Sequence, residues 1–109
     1  MIDIGITIDD DGNLGGLKAE GHSLTAEKGS NIVCAAVSAV LRAAVRALSA
    51  RAGLDVAVKA DTPGYLELFV EKTEGGDSWL MGVTDILLAG LLEVERDYPD
   101  ECRIVLHQK

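Results

Sequence analysis

Aromatic side chains are scarce in this sequence: one Trp, two Tyr and one Phe in 109 residues. A core of this size must then be filled mainly by aliphatic and Ala side chains. Cysteine and histidine are equally sparse, two of each. Neither pair has the CxxC or HxxxH spacing of a structural zinc site, so no metal or cofactor is expected. Two cysteines in a chain without a secretory signal point to reduced thiols rather than a structural disulfide. Met1-Ile2-Asp3-Ile4 offers neither a basic n-region nor an apolar h-region. The longest apolar stretch, Ile32 to Leu48, is interrupted by Ser38, Arg42 and Arg46 and reads as too polar on one face to span a bilayer. No glycine-rich phosphate loop follows a strand, and Asp9-Asp10-Asp11 with Asn13 lacks the Gly and distal Glu spacing of a calcium loop. Repeats, low-complexity segments and domain boundaries are missing, which predicts one domain over 1–109. A cytoplasmic protein with no membrane attachment is expected.

Basic residues are also in the minority. Ten Lys and Arg face eighteen Asp and Glu, for a formal net charge of −8. That balance repels nucleic acid and suits a basic partner such as a Lys/Arg-rich peptide, and it also keeps a soluble protein monodisperse. With 48% hydrophobic and 26% charged residues the chain is globular rather than disordered.

Periodicity supplies the elements. Ile2, Ile4, Ile6 and Ile8 alternate with Asp3, Gly5, Thr7 and Asp9, the pattern of a strand with one buried face. Asp10-Asp11-Gly12-Asn13 is a turn, and a hairpin partner follows over about Leu14–Glu20. Residues 23–30 read as a polar loop closed by Gly29. Ser30 or Asn31 can cap a helix from about Ile32 to Ala52, with Gly53 as its left-handed C-terminal cap. Leu54–Ala60 and Tyr65–Glu71 read as strands, Ser78–Tyr98 as a second helix, and Arg103–Leu106 as a terminal strand. Gly82 and Gly90 inside the second helix suggest tight packing against the sheet. The ββαββαβ order predicts an α+β fold, a mostly antiparallel sheet with two helices on one face. An apolar outer sheet face would need a cover, for which a second subunit is one solution.

The first helix is Ala/Val-rich, and its polar positions are informative. Cys34, Ser38, Arg42, Arg46 and Ser49 fall within an arc of about 120°, with the remaining positions expected in the core. A free cysteine is ordinarily a buried core residue. Cys34 instead sits on the polar stripe, in the expected first turn, where free amides and the helix dipole favour a thiolate and can donate to an oxyanion. His22 lies on the loop upstream, and the eleven residues between can fold back to bring imidazole and thiol together as base and nucleophile. Ser38, one turn beyond Cys34, can orient the thiol or a substrate carbonyl. Cys102 and His107, five apart in or beside the last strand, point to opposite faces and read as structural or solvent-facing.

Gly21-His22, a spacer containing Gly29, then Asn31-Ile32-Val33-Cys34-Ala35-Ala36-Val37-Ser38-Ala39 resembles the ribosomal-processing cysteine protease family (Prp, also called YsxB-like), loosely over the whole chain. The resemblance implies a small, dimeric, cytoplasmic enzyme that removes a short N-terminal extension from a large-subunit ribosomal protein and so allows ribosome assembly. It implies Cys34 as nucleophile, His22 as general base, Asn31 and Ser38 as further motif positions, and a loop including Ser23, Leu24, Gly29 and Ser30 that covers bound peptide. Asn31 stands where the family pattern has Asp. It can cap a helix but carries no charge to hold an imidazolium, a task for which Glu20 and Glu27 are the neighbouring carboxylates.

The leading expectation is thus a cysteine endopeptidase using a Cys34/His22 dyad without cofactor, acting on the basic N-terminal peptide of a ribosomal protein. The alternative is a non-catalytic dimeric module that binds a ribosomal protein or peptide. A thiol redox sensor is a third reading and requires Cys34 and Cys102 to come close.

Overall fold

The structure is a computed structural model that describes residues 1–21, 28–62, 64–72 and 78–108, with only the backbone described for 28–31. Seven elements follow in the order β1 (Ile2–Ile8), β2 (Leu14–Glu20), α1 (Lys28–Ser49), β3 (Leu54–Lys59), β4 (Tyr65–Lys72), α2 (Ser78–Asp97) and β5 (Cys102–Gln108). One five-stranded sheet is ordered β3-β4-β2-β1-β5. Every pairing is antiparallel except β1 with β5, which is parallel. Both helices are therefore crossovers: α1 carries the chain from β2 past β4 to β3, and α2 carries it from β4 past β2 and β1 to β5. The ββαββαβ order and the mostly antiparallel sheet agree with the sequence.

The alternation in β1 does what its period requires. Ile2, Ile4 and Ile6 are 6%, 1% and 0% exposed and share one core with Leu17, Ala19, Leu68 and Val70. The helices supply Val33, Val37, Leu41, Ala44 and Leu48 from α1, and Leu80, Leu87 and Leu91 from α2, to the same core. Both helices thus cover one face of the sheet. The opposite face, carrying Phe69 and Val105, is uncovered, with those two side chains 54% and 45% exposed.

The β1–β2 turn is held by Asp9. Its Oδ1 accepts the backbone N–H groups of Asp11 (2.9 Å) and Asn13 (3.0 Å), and Lys72 lies 3.5 Å from its other oxygen. Burial alone would raise the Asp9 carboxyl. The two backbone donors and Lys72 outweigh it and hold the group below its ordinary value.

The helices depart from expectation in three ways. First, α1 begins at Lys28 rather than Ile32 and ends at Ser49 rather than Ala52. Gly29 and Ser30, read as loop and cap, lie inside its first turn. A mid-helix Gly costs only about 1 kcal/mol, which a long helix anchored by a buried stripe absorbs. At the other end Leu48 is the last core residue. Beyond it the N–H of Arg51 turns back to the carbonyl of Leu48 (3.2 Å), and Gly53, left-handed at φ 86° as its sequence position suggests, leads into β3.

Second, α1 is not largely buried. Its segment Ile32–Ser49 has mean hydropathy 1.8, apolar and long enough for a span on those grounds alone, yet only 28% of it is buried. The reason is compositional: Ala35, Ala39, Ala43 and Ala47 lie on the solvent side, where a methyl group is tolerated at little cost. Third, the α2 glycines do not pack on the sheet. A Cβ on Gly82 would meet nothing within 4 Å, whereas one on Gly90 would meet Val40 of α1 at 3.6 Å. Gly90 is thus a helix–helix contact.

Candidate active site

A groove of about 560 Å³ runs beside α1. Its α1 wall carries Cys34, Val37, Ser38, Leu41 and Arg42, and the sheet supplies Ile2, Ala19 and Leu66, with Gly21, Gly64 and Tyr65 at the strand ends. Cys34 is half-buried and packs against the core from the groove side. Ser38 and Arg42 are exposed one and two turns further along. The first three residues of the polar arc read from the sequence, Cys34, Ser38 and Arg42, therefore lie on the wall of the cleft.

Cys34 is not in the first turn. With α1 starting at Lys28 it is the seventh helical residue, in the second turn. The amides left free at a helix start are the first four, here those of 28–31, and the dipole effect fades within a turn. Cys34 therefore lies beyond the free first-turn amides and the positive end of the dipole, not among them as the sequence places it.

Gly21 shows why the dipeptide Gly21-His22 begins as it does. Its φ is 102°, and a Cβ there would collide with the backbone carbonyl of Met1. Its N–H donates to the carbonyl of Gly64 (2.9 Å). Only glycine fits where the end of β2, the chain start and the turn before β4 are laced together at the groove rim. His22, Ser23, Leu24 and Glu27 lie outside the described residues, and so does the Asn31 side chain. Glu20 alternates with Ala19, so it projects from the uncovered face, away from the groove.

At the rim, the Tyr65 hydroxyl donates to Glu67 Oε1 (3.2 Å), and Lys18 stands 5.8 Å from the ring. Desolvation, then the negative Glu67, push the phenol above its ordinary value. Cys102 and His107 behave as their spacing suggests: Cys102 is fully buried, and His107 lies exposed beside Gly5 on the uncovered face. Both cysteines are free thiols. Among the described residues no cluster of three His, Cys, Asp or Glu side chains could hold a metal ion. Arg42, on the polar arc in the sequence, is a cleft residue that the arc alone does not announce. Its position eight residues from Cys34, on the same face, was the available signal.

A half-buried thiol on a helix wall, beside a groove rimmed by strand ends, is placed to meet a peptide as a nucleophile. The sequence profile of the cysteine protease Prp family matches residues 1–103, and the chain belongs to that family. It is 29% identical over 108 residues to the ribosomal processing cysteine protease Prp of Staphylococcus aureus (strain Mu50 / ATCC 700699), covering 95% of this chain and 97% of that one. Its fold matches the crystal structure of the essential ribosomal processing protease Prp from S. aureus in complex with a substrate peptide. The TM-score is 0.83 at 25% identity, over 97% of this chain and 99% of that one. The same S. aureus protease with a covalently linked product peptide gives 0.80 at 26% identity, with the same coverage. SMU.848 from Streptococcus mutans shares the fold at TM-score 0.81 and 22% identity, over 100% and 96% of the two chains.

Proposed function

We propose that this protein is a cysteine endopeptidase that removes the N-terminal extension of a large-subunit ribosomal protein during ribosome assembly, with Cys34 as nucleophile and His22 as general base. The observation that carries the reading is the position of Cys34, the one cysteine on the wall of the groove. Cys34 attacks the scissile carbonyl as a thiolate after His22 takes its proton. The thioester forms as the amine leaves with a proton from His22, and water then releases the acid and restores the thiol. The product peptide covalently linked to the S. aureus relative supports this course. The groove's apolar lining suits an apolar segment ahead of the cut, and the net charge of −8 suits the basic body of a ribosomal protein. Gly21, at the rim, supports His22 as the neighbouring base.

The test is cleavage of a peptide spanning the extension. Cys34→Ala and His22→Ala are each expected to lower kcat/KM by at least about 10³-fold; undiminished cleavage by Cys34→Ala would overturn the reading.

The single domain is further read as a cytoplasmic homodimer in which a second subunit covers the open sheet face around Phe69 and Val105. Phe69→Glu is expected to leave a monomer by sedimentation, and a wild-type monomer at micromolar concentration would refute the dimer.

A further inference from the structure

We propose that β3 is a pairing edge for a second copy of this chain, two β3 strands running antiparallel about a two-fold axis at Ala57 to join the sheets of both copies into one. The two ends of the five-stranded sheet are unlike. At β5 the edge is capped, because the N–H of Ile104 donates outward to Glu95 Oε2 at 2.7 Å. No such cap reaches β3 among the described residues, and four of its six residues are exposed. An edge strand presents alternate N–H and C=O groups to any strand that can lie beside it. Leu54–Lys59 contains no proline, and its pairing with β4 runs unbroken by a bulge, so its outer side is a straight template.

The side chains fix the occupant and the register. Asp55, Ala57 and Lys59 lie on the open face, directly opposite Glu71, Phe69 and Glu67 of β4. Asp55 thus stands across from a like charge, a destabilising arrangement. Neither Asp55 nor Lys59 has an ion-pair partner among the described residues. In an antiparallel pair centred on Ala57, the partner's Lys59 falls opposite Asp55, and symmetry forms the same pair at the other end. On the helix-covered face Val56 meets the partner's Val58, a residue 44% exposed in the single chain. Ala57 meets its own copy without a bulky side chain between them. Centring on Val58 would set Asp55 against the partner's Asp61, and centring on Val56 would set it against Ala57. Only the Ala57 centre satisfies both charges.

The pairing depends on neither the protease reading nor a cover for the open face. A six-residue edge buries less than a standard interface, so association is weak and needs high concentration. The experiment is sedimentation equilibrium of the full chain carrying Val105→Glu, which charges the open face far from β3. Its mass is expected to double toward millimolar concentration. Adding Asp55→Lys or Lys59→Asp alone sets like charges opposite at both ends and is expected to weaken association about tenfold. Adding both should return it to within about threefold of the parent. The same substitutions without Val105→Glu read the register again, as loss and return of the largest species. A mass that does not rise with concentration in either background overturns the pairing. Association that ignores the single reversals, or that the double reversal fails to restore, belongs to another edge or register and overturns it too.

Discussion

The chain's two cysteines occupy opposite kinds of environment. Cys34 is half-buried on the groove wall of α1, with Ser38 and Arg42 following it along the same face. Cys102 is 0% exposed at the start of β5, paired in register with Ile2. Its N–H donates to the carbonyl of Tyr98 (3.1 Å), which also receives the N–H of Glu101, in the turn after α2. Which helix face or strand parity a residue occupies decides whether the same thiol is available for chemistry or serves as a small apolar filler. The sharpest way to break this comparison is to exchange the consequences. Cys34→Ala is expected to lose cleavage, the largest effect here, while its stability changes by less than about 1 kcal/mol, because only a half-buried sulfur is removed. A cooperative loss of fold in that variant would mean that Cys34 belongs to the core after all.

Cys102→Ser reverses the pattern. It puts a hydroxyl where no water reaches, at a cost of about 1–3 kcal/mol. Denaturant unfolding should show that loss with kcat/KM of the folded enzyme unchanged. A drop in kcat/KM without destabilisation would show that the buried site shapes the groove, which also contains its pairing partner Ile2.

How much of this contrast the residues announce differs between the two sites. The sheet was plain, since β1 and β2 end where alternation and turn residues say they do. Cys102 was legible from the period of two alone. Cys34 was half-legible. Its stripe is correct, because amphipathic spacing is a property of the helix and survives an error in where the helix starts. Its turn differs, because Gly29 reads as the close of a loop, whereas its small helical cost is overruled by the packing of Val33, Val37 and Leu41. The opposite wall of the groove, built from Ile2, Ala19, Gly64 and Leu66, could not be read at all. It exists only because β4 pairs with β2 and the chain start folds against Gly21. Such juxtapositions are set by long-range pairing rather than by local pattern.

The smallest effect is also the most specific to the buried thiol. Burial raises the Cys102 thiol from its ordinary value of 9.0, and the negative charges of Glu95 and Asp3 add to the shift. Glu95 is held close by the N–H of Ile104, which donates to its Oε2 at 2.7 Å. A group whose folded pKa is raised gives up no stability below its unfolded value. Above that value the unfolded chain ionises first, so stability falls as pH rises toward the folded pKa. Tyr65 and Lys72, also shifted upward, lose stability over an overlapping alkaline range, so the wild-type curve alone does not isolate the thiol. The comparison with Cys102→Ala does. Near pH 7 the variant should be less stable, having lost a buried sulfur. From pH 9 to about pH 10, in the presence of reductant, the gap should narrow because only wild type has a buried thiol to protect from ionisation. A gap that stays constant across that range would mean that Cys102 titrates alike in both states, and that its environment is wetter than its full burial implies.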